Sequence, residues 1–154
     1  MKRYGLFYSG KFAYAIPLTQ IIKILQDAIS YDLPRLPGAI SGVLLDNDKL
    51  VPMFDFVHMF GNIAFQQQQN SNYQVLISTE YGIVSLPSNL SGKIVLASKG
   101  NMALPLKNKN ICGSTGVFVY ENEEFNLLDI NYLALEVTQG FWHDLPDTGG
   151  ARRH

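Results

Sequence analysis

The chain has 154 residues, which suits one domain with its own core, so neither a metal nor a disulfide is needed to stabilise it. Its net charge is −1 and its basic residues are scattered, which excludes DNA or an anionic membrane bound through a strong positive field. One cysteine, no signal-peptide core and no apolar run near the ~18 residues of a membrane span lead us to expect a cytoplasmic protein.

The first predicted element is a β-hairpin over residues 4–18, where two aromatic and aliphatic runs flank a turn at residues 9–11. Thr19 is a candidate helix N-cap. The isoleucines and leucines that follow fit a helix, and they fit one helical turn leading into a short strand equally well. Pro34 and Pro37 end this segment.

A second hairpin is predicted where apolar residues 43–45 and 50–54 flank the polar turn 46–49. Asn and Asp favour such a turn because they tolerate the left-handed backbone conformation. Asp55 is placed to cap a short helix that Gly61 would end.

The polar stretch 66–72 lies near the middle of the chain and predicts a surface connection between two half-units of similar size. After it, hairpins are predicted around residues 80–82 and 121–124. A strand is expected at residues 93–97, and a loop at residues 100–110.

Asp129 is placed to cap a last helix over residues 130–139. About nine or ten short strands with few helices predict an all-β barrel or double barrel. Charged residues make up 16% of the chain, against about 25% in a typical domain, so the surface should be partly apolar. A partner-covered surface and a large core explain this equally well.

The chain carries no pattern that predicts catalysis, a cofactor or a metal site. His58 has only Asp55 nearby, and Asp55 is better explained as a helix cap. Cys112 has no neighbouring base, and Ser114 lacks the Gly-x-Ser-x-Gly spacing of a nucleophile elbow. Aromatic residues are plentiful, but the positive charge that a nucleic-acid groove needs does not accompany them.

Residues 33–61, LPRLPGAISGVLLDNDKLVPMFDFVHMFG, resemble the signature region of the CheW-like family. Three further segments are similar to that family, so the resemblance covers nearly the whole chain: FAYAIPLTQIIKI, YQVLISTEYGIVSL and GVFVYENEEFNLLDINYL. The signature residues that match in order and spacing are Pro37, Gly42, Val43, Pro52, Asp55 and Gly61.

The resemblance implies a mainly β fold of two interlocked five-stranded SH3-like β-barrels with short helices. Residues 1–142 would form this single domain, with a first half over about 1–65 and a second half over about 73–140. Residues 143–154 would form a C-terminal tail.

The same resemblance implies a non-catalytic signalling adaptor that couples chemoreceptors to a histidine kinase, in chemotaxis or in pilus or surface motility. Its expected partners are the regulatory domain of the kinase and the cytoplasmic tip of the receptor, without nucleic acid and without insertion into the membrane. It would be recruited to membrane-associated receptor arrays. The alternative is a small β-barrel binding module for another ligand or for nucleic acid.

The resemblance also suggests which residues contact partners and which hold the fold. Where the family usually has Glu, Arg and Gly, this chain has Lys23, Asn47 and Asp48, so we expect a retained fold with a shifted set of partners. The expected partner-binding residues are Ile21, Lys23, Asn47, Asp48 and Lys49, with Val84 and Leu86 in the second half. The expected structural residues are Gly42, Pro52, Asp55 and Gly61.

Overall fold

Short runs of β-branched and aromatic residues, separated by Gly, Asn and Asp, make strands the main element of this chain. The computed structural model describes residues 1–60, 72–104 and 113–144, with side chains up to residue 137. The strands are β1 (Arg3–Ser9), β2 (Phe12–Pro17), β3 (Ile21–Gln26), β4 (Ser30–Tyr31), β5 (Ile40–Asp46), β6 (Lys49–Phe54), β7 (Tyr73–Thr79), β8 (Gly82–Ser88), β9 (Lys93–Leu96), β10 (Asn101–Ala103), β11 (Ser114–Tyr120) and β12 (Glu123–Leu128). The α-helices are α1 (Phe56–Phe60) and α2 (Ile130–Asp144).

The strands form two six-stranded sheets that exchange hairpins between the halves of the chain. Sheet 1 has the order β3-β7-β8-β6-β5-β4, and sheet 2 has the order β9-β1-β2-β12-β11-β10. The hairpin β1–β2 therefore lies in the sheet of the second half, and β7–β8 lies in the sheet of the first half. This confirms the predicted mainly β fold of two interlocked units. Each sheet has six strands where five were expected. The additional strands are the short edge strands β4 and β10, which were not predicted from the sequence.

The two sheets repeat one structural unit, in which each strand of the first half corresponds to the strand six places later. Tyr4 pairs with Pro17 in one hairpin, and Gln74 pairs with Pro87 in the other. Each residue of the second pair lies seventy positions after its counterpart in the first. Each sheet also has one central parallel pairing, β2 with β12 and β8 with β6. Identical residues occupy equivalent positions at Leu6/Leu76, Pro17/Pro87, Lys23/Lys93, Ile24/Ile94, Gly42/Gly116, Val43/Val117 and Asp55/Asp129.

The hairpin turns adopt the predicted left-handed conformations. Asn47 and Asp48 have φ of 51° and 64°, and their equivalents Glu121 and Asn122 have 51° and 65°. Two such residues in succession form the turn that matches the twist of antiparallel strands. The predicted N-cap at Thr19 is wrong, because the chain makes a 3-10 turn over Leu18–Gln20 without a side-chain cap and continues into β3.

Both helices begin at an aspartate that caps them, as the sequence predicts. Asp55 Oδ1 accepts hydrogen bonds from the backbone N–H of Val57 at 3.0 Å and of His58 at 3.2 Å. Asp129 Oδ1 accepts one from Tyr132 at 3.1 Å. Helix α2 is longer than predicted and continues to Asp144, into the expected tail.

The main hydrophobic core lies between the sheets and contains residues of both halves together with both helices. Aromatic rings fill its centre, with Phe12 4.6 Å from Phe60 and 5.3 Å from Phe56 between ring centroids. The buried Tyr14 hydroxyl donates to the carbonyl of Pro87 at 2.8 Å, which ties β2 to β8 across the halves. Within the described parts of the chain, no helix is long and apolar enough to cross a membrane.

Candidate functional site

The partner-binding residues predicted in the first half are brought together by curvature of sheet 1. Lys23 Nζ lies 3.0 Å from Asp46 Oδ1, although β3 and β5 are separated by three strands in the sheet order. Such a contact requires the sheet to curl towards a barrel. The turn residues Asn47, Asp48 and Lys49 are exposed beside this ion pair.

Ile21 is less available than predicted. It is half-buried and packs against the main core, and its Cδ1 lies against the backbone of Gly5, where an added Cβ would be only 2.7 Å away. Its neighbour Ile22 is 44% exposed. The surface of β3 beside Lys23 therefore consists mainly of Ile22.

An apolar surface next to the 46–49 turn was not identified from the sequence. We call Ile29, Tyr31, Leu45 and Leu50 the first-half apolar surface; their exposed fractions are 71%, 50%, 52% and 46%. Leu45 and Leu50 are cross-strand neighbours, and Ile29, Tyr31 and Leu45 line one groove of about 360 Å³. Exposed apolar residues that are contiguous in this way mark interaction sites more often than isolated ones do.

The prediction that Val84 and Leu86 contact a partner is wrong. Their exposed fractions are 1% and 0%, and both belong to the main core. They lie on β8, which is flanked by β7 and β6 and covered on both faces, since Ser85 on the opposite face is also fully buried.

Of the predicted structural residues, Gly42 lies at a close backbone approach inside sheet 1. A Cβ on Gly42 would lie 3.0 Å from the carbonyl oxygen of Tyr31, and one on the equivalent Gly116 would lie 3.0 Å from that of Ala103. Pro52 is buried in β6 and cannot donate a backbone hydrogen bond. In agreement with this missing donor, the parallel pairing of β6 with β8 contains one residue pair, whereas the equivalent pairing of β12 with β2 contains two. Gly61 lies outside the described residues.

The second half contains a site equivalent to that of Lys23. This second site was not predicted from the sequence. Lys23 pairs with Leu76 in β7, and Lys93 pairs with the equivalent Leu6 in β1. Where Lys23 contacts Asp46, Lys93 Nζ lies 5.1 Å from the ring centroid of the equivalent Tyr120. The repeat could have revealed this site, because the lysine is identical and each lies six residues after an identical proline.

A cavity of about 560 Å³ opens beside Lys93, and we call it the second-half cavity. Leu6 and Phe125, both buried, form part of its lining. The Tyr8 hydroxyl donates to Glu123 Oε1 at 2.6 Å on its wall. The pKa of Tyr8 is raised to about 12, chiefly by burial and further by the hydrogen bond to Glu123 and the charge of that carboxylate.

Within residues 1–60, 72–104 and 113–137, no group of three or more His, Cys, Asp or Glu side chains is placed to hold a metal ion.

Comparison with known proteins identifies the fold. No protein-family model and no curated protein sequence matches the chain. Among solved structures, the chain is similar to the scaffolding protein TtCheW from Thermoanaerobacter tengcongensis, with a TM-score of 0.70 and 13% sequence identity over 86% of this chain and 91% of that one. The chain therefore has the fold of a CheW scaffolding protein, built from two interlocked SH3-like β-barrels.

Proposed function

We propose that this chain is a non-catalytic scaffold of a bacterial chemosensory system that couples chemoreceptors to a histidine kinase. The observation that supports this best is the fold that it shares with TtCheW over 86% of its length. The proposed place of action is the cytoplasm, at receptor arrays on the membrane.

The first half of the chain carries the surface that suits a receptor tip. An amphipathic helix binds by laying its apolar face into a groove, and the first-half apolar surface provides such a groove. Lys23, Asp48 and Lys49 are polar residues at its edge, where charges steer association and reject wrong partners. Lys23, Asn47 and Asp48 differ from the usual family pattern, which supports a specialised set of partners, such as one for pilus or surface motility.

Direct binding to the partners tests this proposal. The purified chain is titrated with the cytoplasmic-tip fragment of a chemoreceptor and with the regulatory domain of a histidine kinase, both from the same genome. We expect a micromolar dissociation constant for at least one of them, as is common for standard interfaces of transient partners. If neither binds while the chain remains folded, the scaffold proposal is rejected and the alternative of a binding module for another ligand is favoured.

A pair of substitutions locates the receptor surface. Leu50 belongs to the first-half apolar surface and Ile94 lies on the other sheet, and both side chains are 46% exposed. Leu50→Glu should weaken binding of the receptor tip about tenfold or more, because it places a charge in a desolvated contact. Ile94→Glu, with the same exposure and the same change of charge, should leave that affinity unchanged.

A further inference from the structure

The second-half cavity lies outside the surface proposed for the receptor tip, and it has the size of a small-molecule site. Its volume of about 560 Å³ lies within the range of about 300–1,000 Å³ that such sites occupy. Its lining combines the buried apolar side chains of Leu6 and Phe125 with aromatic rings and a few charged groups. This mixture is typical of sites that bind an apolar body and orient it through polar contacts.

The internal repeat shows which residues beside the cavity differ from their first-half equivalents. Positions Ile21 and Ile22 of the first half correspond to Ser91 and Gly92 in the second, so two large side chains are replaced by small ones. Gly92 has φ of 90°, and a Cβ there would collide with the ring of Phe7. The small residues Ser91 and Gly92 line the space beside Lys93, at positions where the first half carries two isoleucines.

The repeat also shows a difference in charge. In the first half, Asp46 neutralises Lys23. In the second half, Tyr120 replaces that aspartate, and Lys93 makes no ion pair with any described residue. A ligand carboxylate bound by Lys93 would supply the group that Asp46 supplies in the equivalent place.

Two glutamates in the cavity lining limit the class of ligand that the cavity can bind. Glu121 and Glu123 line the same cavity as Lys93. A simple carboxylic acid would be repelled by these two glutamates. A molecule that carries an ammonium next to its carboxylate pairs with both signs of charge at once.

We infer that the second-half cavity binds a free α-amino acid with an apolar or aromatic side chain. Its carboxylate pairs with Lys93, its ammonium pairs with Glu121 and with the carboxylate of Glu123, and its side chain packs on Leu6 and Phe125. A free amino acid carries an ammonium and a carboxylate on its α-carbon, whereas a residue inside a peptide carries neither charge there. The site should therefore bind the free amino acid and not a peptide segment. This inference is independent of the scaffold function.

NMR titration of the isotope-labelled full chain tests the inference, with L-phenylalanine as the probe. Two analogues each retain one charge: 3-phenylpropionate has the carboxylate and phenethylamine has the ammonium. We expect saturable shifts of the Lys93, Tyr120 and Glu121 amides with L-phenylalanine, and binding about tenfold weaker or more with either analogue, since each loses a charge-assisted contact.

Three variants separate the site from general effects. Lys93→Gln removes the cation, and Ser91→Ile places a large side chain at a position that lines the cavity, where the first half has Ile21. Both should weaken L-phenylalanine binding at least about tenfold. Lys2→Gln is the matched control, because Lys2 Nζ also lies over a tyrosine ring, that of Tyr4 at 5.4 Å, but outside the cavity. It should bind like the wild type. Lys93 is exposed, so its variant remains informative if Ser91→Ile does not fold.

The inference is overturned by any of three results: no saturable shifts with L-phenylalanine, equal affinity for either single-charge analogue, or unchanged affinity in folded Lys93→Gln. None of these outcomes bears on binding of a receptor or kinase fragment, which is measured separately.

Discussion

Lys23 and Lys93 occupy the same place in the two sheets, but their side chains meet different partners. Each lies at an edge strand and reaches the residue before a hairpin turn, which is Asp46 in one half and Tyr120 in the other. The first contact is an ion pair at 3.0 Å, and the second is a cation–π contact at 5.1 Å. The two halves therefore share one backbone arrangement but differ in the side-chain contacts at their surfaces. The effect of a substitution in one half can be compared with the same substitution at the equivalent position of the other.

The Lys23–Asp46 ion pair should contribute little to stability. The two side chains are 37% and 15% exposed, so water and salt screen the attraction. Asp46→Asn should lower the free energy of unfolding by about 0.2–1 kcal/mol, measured by urea denaturation, and the loss should shrink at about 1 M sodium chloride. Glu124→Gln, an exposed carboxylate outside this pair, should change nothing measurable. A salt-independent loss above about 2 kcal/mol would contradict this account.

The capping aspartates should be equally important in the two halves. Asp55→Ala and Asp129→Ala each leave helix-start N–H groups without their acceptor, so each should lower the free energy of unfolding by about 1 kcal/mol. Chemical denaturation measures both losses. The conservative changes Asp55→Asn and Asp129→Asn retain an oxygen acceptor and should recover most of the stability. Equal losses for the Ala and Asn variants would show that these side chains act through charge and not through the cap.

Local features of the fold could be predicted from the sequence because the residues that cause them are adjacent in the chain. The turn at Asn47-Asp48 and the caps at Asp55 and Asp129 depend on the conformational preferences and hydrogen bonds of single residues. The pairing of β2 with β12 was not predictable in this way. It joins Tyr14 to Asn126, more than a hundred residues apart, and no local pattern encodes that partnership.

The candidate site was predicted only where the resemblance to a family was clear. Lys23 and the 46–49 turn do come together, and for Lys23, Asn47 and Asp48 the resemblance names the usual family residue. For Val84 and Leu86 the resemblance names no usual family residue, and both lie on a strand that is covered on both faces. Alternation of polar and apolar residues along a strand identifies the exposed face only when one face meets water. Strand β8 is buried on both faces, so its sequence does not show which residues are exposed.

Leu86 and Leu45 should respond oppositely to truncation. Leu86 is fully buried, so Leu86→Ala removes core contacts and leaves a cavity, with an expected loss of about 2–5 kcal/mol in the free energy of unfolding. Leu45 is 52% exposed, so Leu45→Ala should stay within about 0.5 kcal/mol of the wild type. Thermal and urea unfolding measure both changes. A small loss for Leu86→Ala would mean that β8 is not covered on both faces as described.

Asn47→Arg should change partner choice without unfolding the chain. Asn47 is exposed and has φ of 51°, a conformation that costs most residues about 1 kcal/mol and that asparagine tolerates better. We expect a small loss of stability by urea denaturation, an unchanged circular dichroism spectrum, and altered affinity for the receptor-tip or kinase fragment because a rim charge is added. Loss of the folded spectrum would show that the 46–49 turn does not lie on the surface as described.

Tyr8 should make the stability of the chain decrease at alkaline pH. Its folded-state pKa of about 12 lies above the ordinary value of 10.0, chiefly because burial disfavours the phenolate and secondly because the hydroxyl donates to Glu123. The folded chain therefore holds this proton more tightly than the unfolded chain. The resulting stabilisation is complete below pH 10.0 and is lost as the pH rises towards about 12.

Comparison of the wild type with Tyr8→Phe isolates this contribution, because the buried Tyr14, whose pKa is also raised by burial, is present in both proteins. The difference in free energy of unfolding between the two should shrink as the pH rises from 10.0 to about 12, measured by urea denaturation at each pH. Glu123→Gln removes the charge but keeps an acceptor, so it should lower the pKa of Tyr8 only in part, which ultraviolet titration of the phenolate detects. Parallel pH curves for the wild type and Tyr8→Phe would mean that the Tyr8 hydroxyl is open to water, and the wall of the second-half cavity would then differ from the one described.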